Sequence, residues 1–138
     1  MFAKYSLSLL VTVGVLVAGA AGAAEGDPAA GRRLYNQCAA CHSLVKDKNG
    51  LGPSLHSVIG RKSATAPGFK NYSPAMQKAG IVWTEDNLGK YLADPKAFIP
   101  GNRMIYVGMK KDEDRANLIA YLKVAADQAP AASGGGGD

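Results

Sequence analysis

The stretch Cys38-Ala39-Ala40-Cys41-His42 limits what this chain can become more than any other part of it. Two thiols stand three positions apart, and a histidine follows the second directly. One helical turn with that spacing presents both sulfurs to one edge of a flat ring and leaves the next residue beneath its centre. This is the C-x-x-C-H pattern of covalent c-type haem attachment. Each sulfur adds across one of two neighbouring vinyl groups. The imidazole of His42 supplies a nitrogen of intermediate softness that holds iron in both oxidation states.

Other uses of the motif fit less well. A thioredoxin-like pair follows a strand of a βαβ unit, and no such pattern surrounds Cys38. Structural zinc needs four ligands, and beyond these three residues the only further cysteine or histidine is His56. A plain structural disulfide and ordinary core cysteines are the remaining alternatives, and haem attachment is favoured over both.

The composition also calls for a prosthetic staple. In 138 residues there are 17 glycines and three phenylalanines, a lean core for one small domain. A covalently held apolar macrocycle gives several short helices a common surface to bury.

Residues 1–23 read as a secretory signal, with Lys4 in the n-region, Leu7 to Val17 as the apolar stretch and Ala21-Gly22-Ala23 as the cleavage site. The other reading is an uncleaved anchor, since the apolar run is barely long enough to span a bilayer. Cleavage is favoured because the folded part starts within a few residues. The expected address is the periplasm, a compartment in which haem thioether bonds are made.

Residues 24–126 form the expected domain. Asp27 caps a first helix with Pro28 at its first position, running to Asn36 or Gln37. From Ser43 to Pro74 there is no sustained periodicity, and the run is rich in Gly, Pro, Ser and Lys. Thirty residues of this kind need something to wrap around, and a haem provides it. A short helix follows, from Ser73 or Pro74 to Lys78, ended by Gly80. Thr84 caps another, carrying Leu88, Tyr91 and Leu92, and Pro95 ends it. The last runs from Asp112, read as its N-cap, to Ala126, with Leu118, Ile119, Leu122 and Ala125 on one stripe. Residues 127–138 carry four consecutive glycines just before Asp138 and read as a flexible tail.

The sixth iron position decides the function. With His42 alone the iron is open to oxygen or peroxide chemistry, whereas a second strong ligand makes a closed electron carrier. The candidates are Met76, Met104, Met109, His56 and the lysines. Met104 stands out because Ile99-Pro100-Gly101-Asn102-Arg103-Met104 is a non-helical segment after a proline break, able to lay one side chain across a ring face. Met76 and Met109 lack that setting and read as packing residues.

From Gly26 to Ala126 the chain resembles the class I c-type cytochromes, the mitochondrial proteins and their soluble bacterial relatives. The resemblance rests on the Cys38–His42 motif, Gly52-Pro53-x-Leu55, Gly60-Arg61-Lys62, Ala66-Pro67-Gly68-Phe69, Trp83, Tyr91-Leu92-x-Asp94-Pro95-Lys96, Ile99-Pro100-Gly101-x-x-Met104 and Leu118-Ile119-Ala120-Tyr121-Leu122. It implies an all-α fold of several short helices and long loops around one haem c, attached through Cys38 and Cys41. It implies His42/Met104 axial ligation and a Pro53 carbonyl that accepts from the His42 ring. Arg61, Tyr72 and Trp83 are then expected near the propionates, Tyr91 near the Met104 sulfur, and the first and last helices crossing near Gly31.

Its implied role is that of a soluble, monomeric one-electron carrier, not an enzyme. The donor would be a membrane complex of the cytochrome bc type, and the acceptor an oxidase, a reductase or a photosynthetic reaction centre. The alternative function is a haem enzyme of peroxidase type or a gas sensor with an open or labile sixth position.

Some positions depart from the family pattern. Asn102 stands where threonine is usual, which puts a hydrogen bond to a propionate in doubt, and Gln37 and Ala97 replace frequent lysines. Arg103, Lys96, Lys110 and Lys111 carry charge nearby. The formal net charge is +5. A basic surface steers such a protein to acidic partners at a salt-dependent rate. Nucleic acid is not an expected partner, because the basic residues are dispersed and the address is extracytoplasmic.

Overall fold

The computed structural model describes residues 25–128, so the signal read at residues 1–23 lies outside the described part. Among the described residues five α-helices succeed one another: α1 (Pro28–Leu34), α2 (Pro74–Ala79), α3 (Glu85–Ala93), α4 (Pro95–Phe98) and α5 (Asp112–Gln128). The only pairing of extended backbone among the described residues is an isolated antiparallel bridge between Lys62 and Val82. None of the described helices is long and apolar enough to cross a membrane.

The helix starts are written locally. Asp27 accepts from the Ala29 amide, Ser73 from Met76 and Thr84 from Asn87, each side chain satisfying an amide of the first turn that has no intrahelical partner. Pro28 and Pro74 occupy first-turn positions where the missing N–H costs nothing. Gly80 ends α2 in the left-handed region at φ 62°.

Two starts differ from expectation. Pro95 ends α3 but also opens α4, because Asp94 terminates the first helix and turns its carboxylate onto the Ala97 amide of the second. Asp112 is the first residue of α5 rather than its N-cap, and its carboxylate pairs with the Arg115 guanidinium one turn on. Helix α5 also continues to Gln128, two residues into the segment read as tail. The remainder, residues 129–138, lies outside the described part.

The chain closes where α1 crosses α5. A Cβ at Gly31 would overlap the Asn117 carbonyl and lie 2.7 Å from the Tyr121 Cβ, so glycine sets how closely the two helices approach. The Asp27 amide donates to Asn117 Oδ1 at 2.7 Å, and the Tyr35 and Tyr121 rings lie 5.7 Å apart. The stripe on α5 is the centre of the core: Leu118, Ile119, Leu122 and Ala125 are buried, with Leu118 1% exposed. Burying one such leucine contributes about 1.5–3 kcal/mol. Against it pack Leu88, Tyr91 and Leu92 of α3, while Tyr35 comes in from the turn after α1.

The long connection from Ser43 to Ser73 is organised by individual hydrogen bonds. Asn49 joins two of its loops: its amide nitrogen donates to the Pro67 carbonyl at 2.9 Å, and its oxygen accepts from the Ser54 amide at 2.9 Å. Around the Lys62–Val82 bridge, Trp83 exchanges backbone hydrogen bonds with Gly60 and Arg61, both at 2.9 Å. These loops and the helices enclose a cavity of about 410 Å³.

Candidate haem site

Helix α1 runs into a short 3-10 turn (Tyr35–Gln37), and the cysteine motif continues it without a break. The Cys38 and Ala39 amides donate to the Tyr35 carbonyl, and the Cys41 and His42 amides to that of Cys38. The motif is therefore wound into a turn that carries both thiols to the edge of the cavity they line. Cys38 is half-buried and Cys41 exposed. Burial pushes the Cys38 thiol up to about 11, the opposite of the lowered thiol of a dithiol redox pair.

His42 is fixed on several sides. Its Nδ1 lies 2.7 Å from the Pro53 carbonyl, and its own carbonyl accepts from the Tyr35 hydroxyl at 2.9 Å. A carbonyl only accepts, so Nδ1 carries the proton and a neutral ring keeps its lone pair on Nε2. Burial holds the imidazole below its usual pKa; the Pro53 hydrogen bond works the other way, and nearby Arg61 lowers it further. Gly52 backs the ring, since a Cβ there would overlap the imidazole itself. The Gly52 amide donates to the Cys41 carbonyl at 2.9 Å, which ties this backing to the motif.

The cavity holds Met104 as well as His42. The Tyr91 hydroxyl is 3.8 Å from the Met104 sulfur and 3.3 Å from Asn102 Oδ1. Burial pushes the Tyr91 phenol up to about 12, so it remains a donor at neutral pH. The segment is tied down at its flanks, with Arg103 donating to Asn71 Oδ1 at 2.6 Å and the Tyr106 hydroxyl to Gln37 at 3.2 Å. Among the other ligand candidates, Met76 and Lys62 also line the cavity. Met109 is buried in the core, its amide bonded to the Leu92 carbonyl at 2.7 Å. His56 is not among the lining residues; its carbonyl accepts from Arg61.

Arg61, Tyr72 and Trp83 line the same cavity. The Arg61 guanidinium donates to the His56 carbonyl at 3.0 Å and the Ser54 carbonyl at 2.8 Å. Among the described residues it has no carboxylate partner. A half-buried cation held only by neutral carbonyls favours an incoming anion. The Tyr72 hydroxyl accepts from the Ala66 amide at 3.1 Å, which orients it, and Trp83 packs on Tyr91 with ring centres 5.0 Å apart.

The residues fit a haem c chemically. Paired thiols suit the vinyl groups, an imidazole with one free lone pair and a thioether suit the iron, a predominantly apolar lining suits the ring, and a cation lacking a carboxylate suits the propionates. Sequence reasoning did not foresee the hydrogen-bond partners of Asn102. Its position was visible as a departure from the family pattern, but its contacts with Tyr91, Pro95, Ile99 and Met104 exist only in the folded loop. Gly52 belongs to the motif Gly52-Pro53-x-Leu55, yet its contact with His42 appears only in three dimensions.

The comparisons agree with this geometry. The chain matches the Cytochrome c family model over residues 28–126. It is 42% identical over 118 residues to cytochrome c2 of Rhodomicrobium vannielii, covering 85% of this chain and 94% of that protein. It is 53% identical over 89 residues to cytochrome c2 iso-2 of Magnetospirillum fulvum, covering 64% and 92%. In structure it resembles cytochrome cH from Methylobacterium extorquens with a TM-score of 0.68 at 40% identity, over 72% of this chain and 99% of that one. Helices without strands, arranged in this way, are the small all-α cytochrome c fold. The chain belongs to the cytochrome c family and is an electron-transfer protein, not an enzyme.

Proposed function

We propose that this protein is a soluble one-electron carrier with a single haem c held by thioether bonds to Cys38 and Cys41, with His42 and Met104 as axial ligands. When bound, the haem supplies the redox chemistry, its iron gaining or losing one electron with no atom transferred. His42 would offer the Nε2 lone pair that its hydrogen bond to Pro53 leaves free. Met104 would offer a thioether, a soft donor that favours ferrous over ferric iron and so raises the potential. Arg61 would pair with a propionate, while Tyr72 and Trp83 would line the polar end and exclude water. Tyr91 would orient the Met104 sulfur.

The observation that carries this reading is the shared cavity, in which a tautomer-fixed imidazole and a thioether within reach of a phenol both project from held backbone. Docking fits the same region, because Leu51 and Ile105 are 80% and 100% exposed and also line the cavity. The donor would be a complex of the cytochrome bc type, and the acceptor an oxidase, a reductase or a photosynthetic reaction centre. The compartment would be the periplasm, reached by a signal at residues 1–23. Support comes from the bacterial relatives named cytochrome c2.

The test is an absorption spectrum of the purified protein, oxidised and reduced. A weak near-infrared band from sulfur ligation of ferric iron, with a reduced form indifferent to carbon monoxide, is the expected result. A missing band with ready carbon monoxide binding would point to an open iron and a haem enzyme or sensor.

A further inference from the structure

We infer that Asn102 is the positioning residue for the Met104 sulfur: its side-chain amide locks the ligand segment to α3 and α4 and shares the Tyr91 hydroxyl with the thioether. This rests on the reading of Met104 as the sixth ligand. A primary amide has two N–H donors and an oxygen that accepts twice. The two donors of Asn102 reach the Pro95 carbonyl at 2.8 Å and the Ile99 carbonyl at 2.9 Å. Its oxygen accepts from the Met104 amide at 2.9 Å and from the Tyr91 hydroxyl at 3.3 Å. The full capacity of the group is used.

The orientation of the amide follows from its partners. Turning it over would set the oxygen against two carbonyls and the NH₂ against the Met104 N–H, leaving those three contacts without hydrogen bonds. One side chain thus fixes the Met104 backbone relative to the start and end of α4 and to Tyr91 of α3. A loop alone would not hold a sulfur at a set point, since ordinary connecting segments are the more mobile parts of a fold. Here the segment between Ile99 and Met104 is closed from inside.

Asn102 also acts on the sulfur through Tyr91. The phenol has one hydrogen and two acceptors in reach, Asn102 Oδ1 at 3.3 Å and Met104 Sδ at 3.8 Å. When the hydrogen points to the amide, the sulfur keeps its full donor strength toward a metal. When it points to the sulfur, that strength falls. Asn102 is therefore placed to hold the sulfur in position and to limit the pull on its electrons.

The experiment uses the haem-loaded protein and its variants Asn102→Ala, Asn102→Thr and Asn87→Ala. Ferric protein is titrated with imidazole, which competes for the sixth position, and loss of the near-infrared sulfur band is followed alongside the denaturation midpoint. Asn87 is the control, because its side-chain amide donates to the Val82 carbonyl, while the hydrogen-bond partners of the Tyr91 hydroxyl are Asn102 and Met104. Asn102→Ala should bind imidazole at least about tenfold more tightly, as expected when more than one hydrogen bond that closes the segment is removed. Asn102→Thr, which keeps an oxygen able to accept from the amide two residues on, should fall between it and the parent. It also carries the test if the alanine variant does not fold. Asn87→Ala should lower the midpoint and leave imidazole affinity unchanged.

Unchanged affinity in both Asn102 variants would overturn the inference, whatever their stability. So would an equal tightening in Asn87→Ala, which would mean general loosening of the fold. A parent protein without the sulfur band would remove the Met104 reading and this inference together. A parent that shows the band while its Asn102 variants resist imidazole like the parent would remove the inference alone.

Discussion

Replacing Gly31 by alanine sets two effects against each other, and the structure decides which prevails. Helix propensity alone favours alanine over glycine inside a helix by about 1 kcal/mol. At Gly31, however, the new Cβ would overlap the backbone carbonyl of Asn117, which no side-chain rotation can move aside. Helix α1 would have to withdraw from α5. Overpacking of this kind costs about 1–3 kcal/mol. The hydrogen bond from the Asp27 amide to Asn117 would stretch with it, at a further cost of about 0.5–1 kcal/mol. The net expectation is a loss of about 0.5–3 kcal/mol, read as a fall in the guanidinium midpoint on the order of 0.5 M. Gly89→Ala supplies the comparison. Its Cβ would meet only the Ile119 Cδ1 at 3.8 Å, an ordinary contact, so propensity should prevail and the variant gain about 0.5–1 kcal/mol. Denaturation of both, followed by far-ultraviolet circular dichroism, should shift the midpoints in opposite directions. Two gains, or no change at Gly31, would refute the view that this glycine sets the helix spacing.

Other perturbations probe the site and the loops. Met104→Ala should open the sixth position and lower the potential, and an unchanged ferric spectrum would exclude Met104 as ligand. Ala64 sits at φ 58°, a conformation that costs a residue with a Cβ about 1 kcal/mol, so Ala64→Gly should hold or raise the thermal midpoint; a clear fall would show that the methyl packs usefully. Burial raises the folded pKa of Tyr35 to about 12 from a usual value of 10.0, so its contribution to stability is present below pH 10 and is lost as pH rises from 10 to 12. In Tyr35→Phe the denaturation midpoint should fall less steeply across that window; identical slopes would remove Tyr35 as the cause. Electron delivery to an acidic partner should slow as salt is added, since 0.1 M ionic strength screens charges beyond about 10 Å. A rate indifferent to salt would remove the steering argument.

The features legible in the sequence are those encoded over a few residues. The turn at Cys38–His42, the caps at Asp27 and Thr84 and the α5 stripe follow from spacing and side-chain chemistry that act locally. Helix α4 was missed because Pro95 is a stop for the helix before it and a favourable first residue for the helix after it, and one aspartate serves both ends. Asp112 was misplaced because its carboxylate has a choice between a backbone amide and the Arg115 side chain. The partners of Asn102 were illegible for a different reason. They come from Tyr91, Pro95, Ile99 and Met104, and only the folded loop brings them to one amide. The same holds for Arg61, whose position in a motif gives no sign that two carbonyls would hold it.

The hydrogen bond between Asp27 and Asn117 joins residues 90 positions apart, so the chain between them is a closed ring. Closing a flexible ring of that size costs about 4 kcal/mol of chain entropy, growing only as the logarithm of its length. Once α1 and α5 have met, every closure still to be made inside the ring is shorter, including those that bring Pro53 and Met104 to the cavity. The loops that shape the cavity then search for their places within a tethered circle rather than along an open thread.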